Sequence, residues 1–278
     1  MKRLLAAFCA LFCAFGLRAQ DLPAPDEKYV RLDSMLAGFY SALAGESVDA
    51  KCQNADYLIA TCKDSLTRQH VALNVFDHYR DSNVMGEEAV AIHVYDYWFE
   101  NGMVKFQGEM DKMDAEVFIR FNRSSQIGCD APVLTMPRPC KGTETFPVKG
   151  RTSVLFFYDT HCAKCQLEAK LMPSVFKDVD FDMDLYAVYC GTDRRSWRKF
   201  RREFRIPNKL VKLHHLWDPE MDSDYQLSYA VIGTPRVYLV EPGGTILGRR
   251  LEPESLKELL YYAGAIQSAY DKMLKNQL

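Results

Sequence analysis

Three features are missing from this sequence, and each absence excludes a class of function. Beyond residue 20 there is no apolar run long enough to cross a bilayer, so no stable membrane span is expected. There is no strong excess of either charge: the formal net charge is −2, which argues against nucleic acid or an anionic membrane surface as the main partner. There is also no second Cys-x-x-Cys and no His-x-x-x-His, and the neighbouring His214 and His215 point apart in any regular element. A zinc site needs four converging ligands, so no metal is expected, and no other cofactor is implied. What is present is core-forming: 48% of residues are hydrophobic and 12% aromatic, enough to bury a proper interior.

Residues 1–20 read as a secretory signal peptide. Lys2 and Arg3 precede an apolar run from Leu4 to Leu17, and Ala19 supplies a small residue at the cleavage point. Cleavage predicts an exported protein, periplasmic in a bacterium. The alternatives are an extracellular protein, or one anchored to the membrane by an uncleaved N-terminus. Of the nine cysteines, Cys9 and Cys13 lie in the signal, leaving Cys52, Cys62, Cys129, Cys140, Cys162, Cys165 and Cys190. An oxidising compartment permits disulfides. Neighbour pairing of Cys52 with Cys62 and of Cys129 with Cys140 is the economical choice among the possible connectivities. The odd number leaves at least one thiol over. Cys190 is either a third redox thiol or a buried inert cysteine, the latter being the commoner fate.

The remaining chain divides into a helical region over residues 21–126, a proline-rich linker with an accessory strand over 127–150, and an α/β region over 151–278. In the first, Tyr29, Leu32, Met35, Leu36, Phe39, Tyr40 and Leu43 recur at helical spacing. Further stripes run through Leu66, Leu73, Phe76 and Tyr79, then Val90, Val94, Tyr97 and Trp98 up to Asn101-Gly102, and a short helix over Asp114 to Phe121. Pro132, Pro137, Pro139 and Pro147 forbid a helix across the linker, where Val133-Leu134-Thr135 predicts a short strand. Beyond it, Ser153 to Tyr158 is a continuous apolar run that predicts a buried strand, followed by a helix from about Cys162 to Lys177. A strand over Asp184 to Tyr189, a helix over Arg194 to Phe204, a hairpin of Arg236 to Val240 with Thr245 to Arg249, and a helix over Pro253 to Leu274 complete the pattern. The alternation predicts an α/β sandwich around a mixed sheet.

Cys162-Ala163-Lys164-Cys165 stands where the first strand hands over to the first helix. A thiolate is the nucleophile in thiol chemistry, and unpaired N–H groups at a helix N-terminus favour negative charge there. Cys162 is thus the expected attacking sulfur. Cys165, one turn further in, is the expected resolving thiol that attacks the mixed disulfide. Lys164 and a protonated His161 are expected to favour the thiolate. Thr234-Pro235, directly before the strand-like Arg236 to Val240, marks a turn or a cis bond.

A strand, a CxxC opening a helix, a later Thr-Pro, then a hairpin and a terminal helix resemble the thioredoxin superfamily, and in particular its exported TlpA/ResA-like thiol–disulfide oxidoreductases, which often carry extra N-terminal segments. The resemblance covers roughly Ile127 to Leu278. It implies a three-layer thioredoxin-like fold with a smaller N-terminal all-α domain. It also implies that Pro235 is cis and lies with Thr234 against the cysteine pair. Glu168, three residues after Cys165, matches a recurrent acid of that branch. The sequence departs from the pattern in having His161 where Trp is usual, Phe156 where thioredoxins bury an acid, and Lys170 where a proline is expected.

The resemblance implies disulfide exchange with exported protein substrates bearing thiols or disulfides, and a redox partner that supplies or takes electrons. A redox-inactive binding module with a structural Cys162–Cys165 bridge is the alternative. A peroxiredoxin-like peroxidase fits less well, since Thr160 stands only two residues before Cys162 where that chemistry wants three. Finally, Arg194 to Lys212 holds nine basic residues against one acid, Glu203, which is either a solvated face or a docking surface for an acidic partner.

Overall fold

The computed structural model describes residues 25–139 and 141–276. The expected signal peptide and Cys140 of the expected Cys129–Cys140 bridge lie outside the described residues. The chain packs as two compact units, one ending at Lys51 and the other beginning at Cys52.

Helical periodicity yields α1 (Pro25–Leu43), α2 (Val48–Thr61), α3 (Ser65–Arg80), α4 (Glu88–Val94) and α5 (Glu109–Asn122). Asp64 caps α3 by accepting from the Thr67 N–H at 2.9 Å, satisfying a donor that the helix start leaves open. α4 runs on into a π-helical segment, Tyr95–Glu100, which stops at Asn101-Gly102, where Gly102 takes the left-handed φ of 71° that a side chain resists. Phe76 on α3 is ringed by Tyr95, Phe99, Phe106 and Phe118, with centroids 6.0–6.5 Å away. Asp56 on α2 accepts from Trp98 Nε1 at 2.8 Å and meets His93 Nε2 at 2.8 Å.

This geometry overturns the expected Cys52–Cys62 bridge. Cys52 lies in the first turns of α2 and Cys62 just past its end. Ten residues of helix rise about 15 Å, whereas bridged Cα atoms stand about 4.4–6.8 Å apart. Cys62 is instead a buried thiol that donates to the Leu58 carbonyl at 3.5 Å.

The linker forms a hairpin of β1 (Leu134–Pro137) and β2 (Thr143–Phe146). A five-stranded sheet follows from β3 (Thr152–Tyr158), β4 (Met183–Tyr189), β5 (Val211–Trp217), β6 (Arg236–Val240) and β7 (Ile246–Arg249). Its order is β5-β4-β3-β6-β7, with β3, β4 and β5 parallel and β6 and β7 antiparallel to their neighbours. The helices are α6 (Ala163–Val175), α7 (Arg194–Glu203), a single turn α8 (Tyr225–Ser228) and α9 (Pro253–Lys275).

β3 is central and every residue of it is buried, so alternate side chains feed two cores. Val154, Phe156 and Tyr158 pack with Met172 and Val175 of α6, Trp197 of α7 and Leu256 and Leu260 of α9. Leu155 and Phe157 pack on the opposite face with Tyr186, Tyr225, Tyr229 and Tyr238, and with Leu134, Met136 and Phe146 of the hairpin. The helical region is joined to the sheet by polar contacts. Arg249, wholly buried, places Nη1 3.0 Å from Glu88 Oε1 and donates from Nη2 to Asn122 Oδ1 at 2.8 Å.

Candidate functional site

The CxxC lies where β3 gives way to α6. After Tyr158 the chain turns, with the His161 N–H donating to Asp159 Oδ1 at 2.8 Å and Gln166 Nε2 closing the turn on the Thr160 carbonyl at 2.7 Å. Cys162 then takes an extended conformation (φ −82°, ψ 116°) and becomes the N-cap of α6. In that role its sulfur accepts the Cys165 backbone N–H at 3.2 Å. An N-cap ordinarily offers an oxygen to an unpaired helix N–H. Here the acceptor is the Cys162 sulfur, so the donor that would otherwise be orphaned favours a thiolate there.

The two thiols end with opposite character. Burial raises the Cys162 pKa, but the hydrogen bonds from the Cys165 side chain and backbone, from Thr234 and from the Lys164 N–H outweigh it, and the net shift is downward. Cys165 is 1% exposed, and burial pushes its thiol up to about 12. Cys162, half-buried, is therefore the thiol that ionises.

Thr234 and Pro235 come to the same point from the other end of the domain. The Thr234–Pro235 peptide bond is cis, and the Cys162 thiol donates to the Thr234 carbonyl at 3.3 Å. β6 begins immediately after and pairs antiparallel with β3, which brings the loop beside the CxxC. The structure thus unites Cys162, Cys165, Thr234 and Pro235.

Lys164 and His161 lie beside the pair with their charges turned elsewhere. The Lys164 ammonium pairs with Glu252 at 3.0 Å, while its backbone N–H is one of the hydrogen bonds that lower the Cys162 pKa. His161 is exposed, with Nδ1 3.4 Å from Asp159 Oδ1. Cys129 is exposed in the linker. Cys190 follows β4, its N–H bonded to the Tyr158 carbonyl at 2.8 Å, and burial pushes its thiol up to about 12.

Phe156 fills the inner face of β3, stacked on Tyr158 at 5.3 Å, so that position carries no acid. The buried acid is Glu168, on α6 one turn beyond Cys165. It is 3% exposed, one carboxylate oxygen has no hydrogen-bond partner, and the nearest cation, Lys164, stands 3.9 Å away. Burial raises its pKa to about 7, against the pull of Lys164. The spacing after Cys165 was the only sequence signal for it. Among the described residues no three His, Cys, Asp or Glu side chains converge as metal ligands would.

No protein-family model and no curated protein sequence matches the chain. Solved structures do. A thioredoxin-like protein from Bacteroides caccae is 14% identical, with a TM-score of 0.63 over 88% of this chain and 96% of that one. That coverage exceeds what Ile127 to the C-terminus supplies, so the likeness takes in the helical region as well. The thioredoxin domain of a thiol-disulfide oxidoreductase from Bacteroides vulgatus is 22% identical over 50% of this chain and 98% of that one, with a TM-score of 0.43. A domain of a possible thiol-disulfide isomerase from Cytophaga hutchinsonii is 25% identical over 56% and 99%, also with a TM-score of 0.43. The fold is thioredoxin-like, a mixed five-stranded sheet with flanking helices, preceded by a helical segment.

Proposed function

We propose that the protein is an exported thiol–disulfide oxidoreductase that exchanges disulfides with other exported proteins through Cys162 and Cys165. The observation that carries the reading is the asymmetry of the pair: one sulfur caps a helix and is stabilised as a thiolate, the other is enclosed and protonated. In the reducing direction the Cys162 thiolate attacks a substrate disulfide, forming a mixed disulfide and releasing one substrate thiolate. Cys165 then loses its proton and attacks the Cys162 sulfur. The second substrate thiol leaves, and the Cys162–Cys165 disulfide holds the two-electron oxidation. A dithiol redox partner of lower potential returns the two electrons and restores the Cys162 and Cys165 thiols, and the same steps reversed oxidise a substrate dithiol.

Thr234 and cis-Pro235 present backbone beside Cys162, where an extended substrate segment is held during attack. Glu168, its carboxyl poised near neutrality one helical turn from Cys165, is the group placed to take the resolving thiol's proton. Export is supported by the N-terminal signal pattern of the sequence and is consistent with an oxidising compartment in which such exchange has substrates. Among the described residues no helix is long and apolar enough to cross a membrane.

The test is turnover of a peptide disulfide by the mature chain with a dithiol as reductant. The parent is expected to turn over, and Cys162→Ser to fall to the uncatalysed rate. A Cys162→Ser chain that retains the parent rate refutes the assignment.

A further inference from the structure

Helix α7 carries a concentration of cationic side chains that pair with no carboxylate among the described residues. Arg194, Arg195, Arg198, Lys199, Arg201 and Arg202 lie within it and Arg205 just beyond, with Glu203 the one acid. Trp197 and Phe204 are buried and Phe200 packs against the core, so those positions define the inner face. All of these cations except Arg201 are exposed.

Among the described residues, none of the seven pairs with a carboxylate. Arg201 lies over the Trp197 ring at 4.9 Å, and Arg205 donates to the carbonyls of Arg201 and Phe204. Two of the cations, Arg194 and Arg195, occupy the first turn, where the helix dipole disfavours positive charge. The chain holds 37 acids, more than its 35 Lys and Arg, and Asp193 caps the helix by accepting the Arg195 N–H at 2.8 Å, yet among the described residues no carboxylate pairs with any of the seven cationic side chains. Unscreened like charges at this density repel one another, so the arrangement costs stability unless a counter-charge comes from outside.

The surface relief leads from these cations to the site. Six arginines, Arg194 to Arg205, line a hollow of about 710 Å³. A second groove, of about 460 Å³, runs between α6 and α7 and is lined by Asp159, Cys165, Gln166, Lys199, Phe200 and Arg205. Arg205 lines both, so the hollow and the groove lie next to one another. Leu167, on α6 two residues after Cys165, and Ile232, two residues before Thr234, are exposed apolar side chains.

We propose that α7 is the docking surface for an acidic segment of the protein substrate. Its carboxylates pair with the arginine forks in the hollow, and the polypeptide continues along the groove towards Cys162. Guanidinium groups suit carboxylates because each presents a planar pair of donors that matches two oxygens. A field of one sign beside the reacting sulfur also raises the encounter rate of acidic partners. The second half of this inference rests on the exchange reading above; the first does not.

The experiment therefore has two arms on the full chain. In the first, binding of a short cysteine-free peptide rich in Asp and Glu is measured at low salt, beside its Lys-substituted counterpart and beside heparin. The acidic peptide is expected to bind and the basic one not. Arg198→Glu with Arg202→Glu is expected to weaken binding by roughly ten-fold or more, and the milder Arg198→Gln with Arg202→Gln by less. Binding of heparin without the acidic peptide, or acidic-peptide binding indifferent to all four substitutions, overturns the proposal. In the second arm, exchange is followed with an acid-flanked peptide disulfide and with neutral 2-hydroxyethyl disulfide. The variants are expected to slow the first by roughly ten-fold at low salt and leave the second unchanged; an equal loss on both overturns the docking role. A chain that binds the acidic peptide but exchanges neither disulfide overturns the exchange reading alone.

Discussion

Cys162 and Cys165 share a helical turn, yet one is tuned to ionise and the other to stay protonated. The difference follows from where the chain leaves β3: the helix begins at Ala163, so Cys162 falls on the cap and Cys165 in the first buried turn. Alkylation at increasing pH, read by mass, should label Cys162 with a midpoint below that of an ordinary thiol, about 8.5, and leave Cys165 unlabelled until the chain unfolds. Glu168 makes a second prediction of known sign. Its folded pKa is raised, so the folded chain keeps a proton that the unfolded chain has lost between the ordinary value of 4.5 and about 7. Stability from this group therefore falls as pH rises through that window and is flat above it. Glu168→Gln removes the penalty: urea unfolding should show it more stable than the parent above pH 7, by roughly 3 kcal/mol, and equal near pH 4. The cysteine pair was legible in the sequence because its spacing and its place after an apolar run are local. That Lys164 would spend its charge on Glu252, and that an acid would be buried at Glu168 while Phe156 took the usual acid's place in the core, depends on packing that no local pattern encodes.

At the scale of elements, strands with unbroken apolar runs were readable and those stabilised by polar partners were not. β3, β4, β6 and β7 and helices α6, α7 and α9 match their sequence patterns closely. β5 was not visible, because its Lys212, His214 and His215 look solvated. In the fold His214 is buried between Asp184 at 3.0 Å and Glu144 at 3.1 Å, and stacks on Tyr186, while burial lowers the His215 pKa to about 4 and holds it neutral. β2 and α2 were missed for a related reason: their few apolar positions make sense only against partners distant in sequence. The Cys52–Cys62 expectation failed on the same ground, since closeness in sequence becomes distance once a helix forms between the two. The join between helical region and sheet yields a further prediction. Arg249→Met leaves Glu88 buried without its cation and should cost about 3–5 kcal/mol in urea unfolding. Pairing it with Glu88→Leu should recover much of the loss, because two well-packed apolar side chains carry no desolvation penalty.

Across the described residues, a near-neutral chain keeps its charges unevenly, with cations that pair with no described carboxylate gathered on one helix beside the cysteine pair. β3 and α6 set the cysteines, and the loop before β6 brings Thr234 and cis-Pro235 beside Cys162. Every role assigned to these residues requires that substrate be joined covalently to Cys162 and released by Cys165. The measurement that tests this most directly is trapping of that intermediate. Cys165→Ser, reacted with a peptide disulfide and examined by mass without reductant, should accumulate one peptide per chain, attached at Cys162. Cys162→Ser treated alike should accumulate none. Attachment at another cysteine, or equal trapping by both variants, would contradict the account.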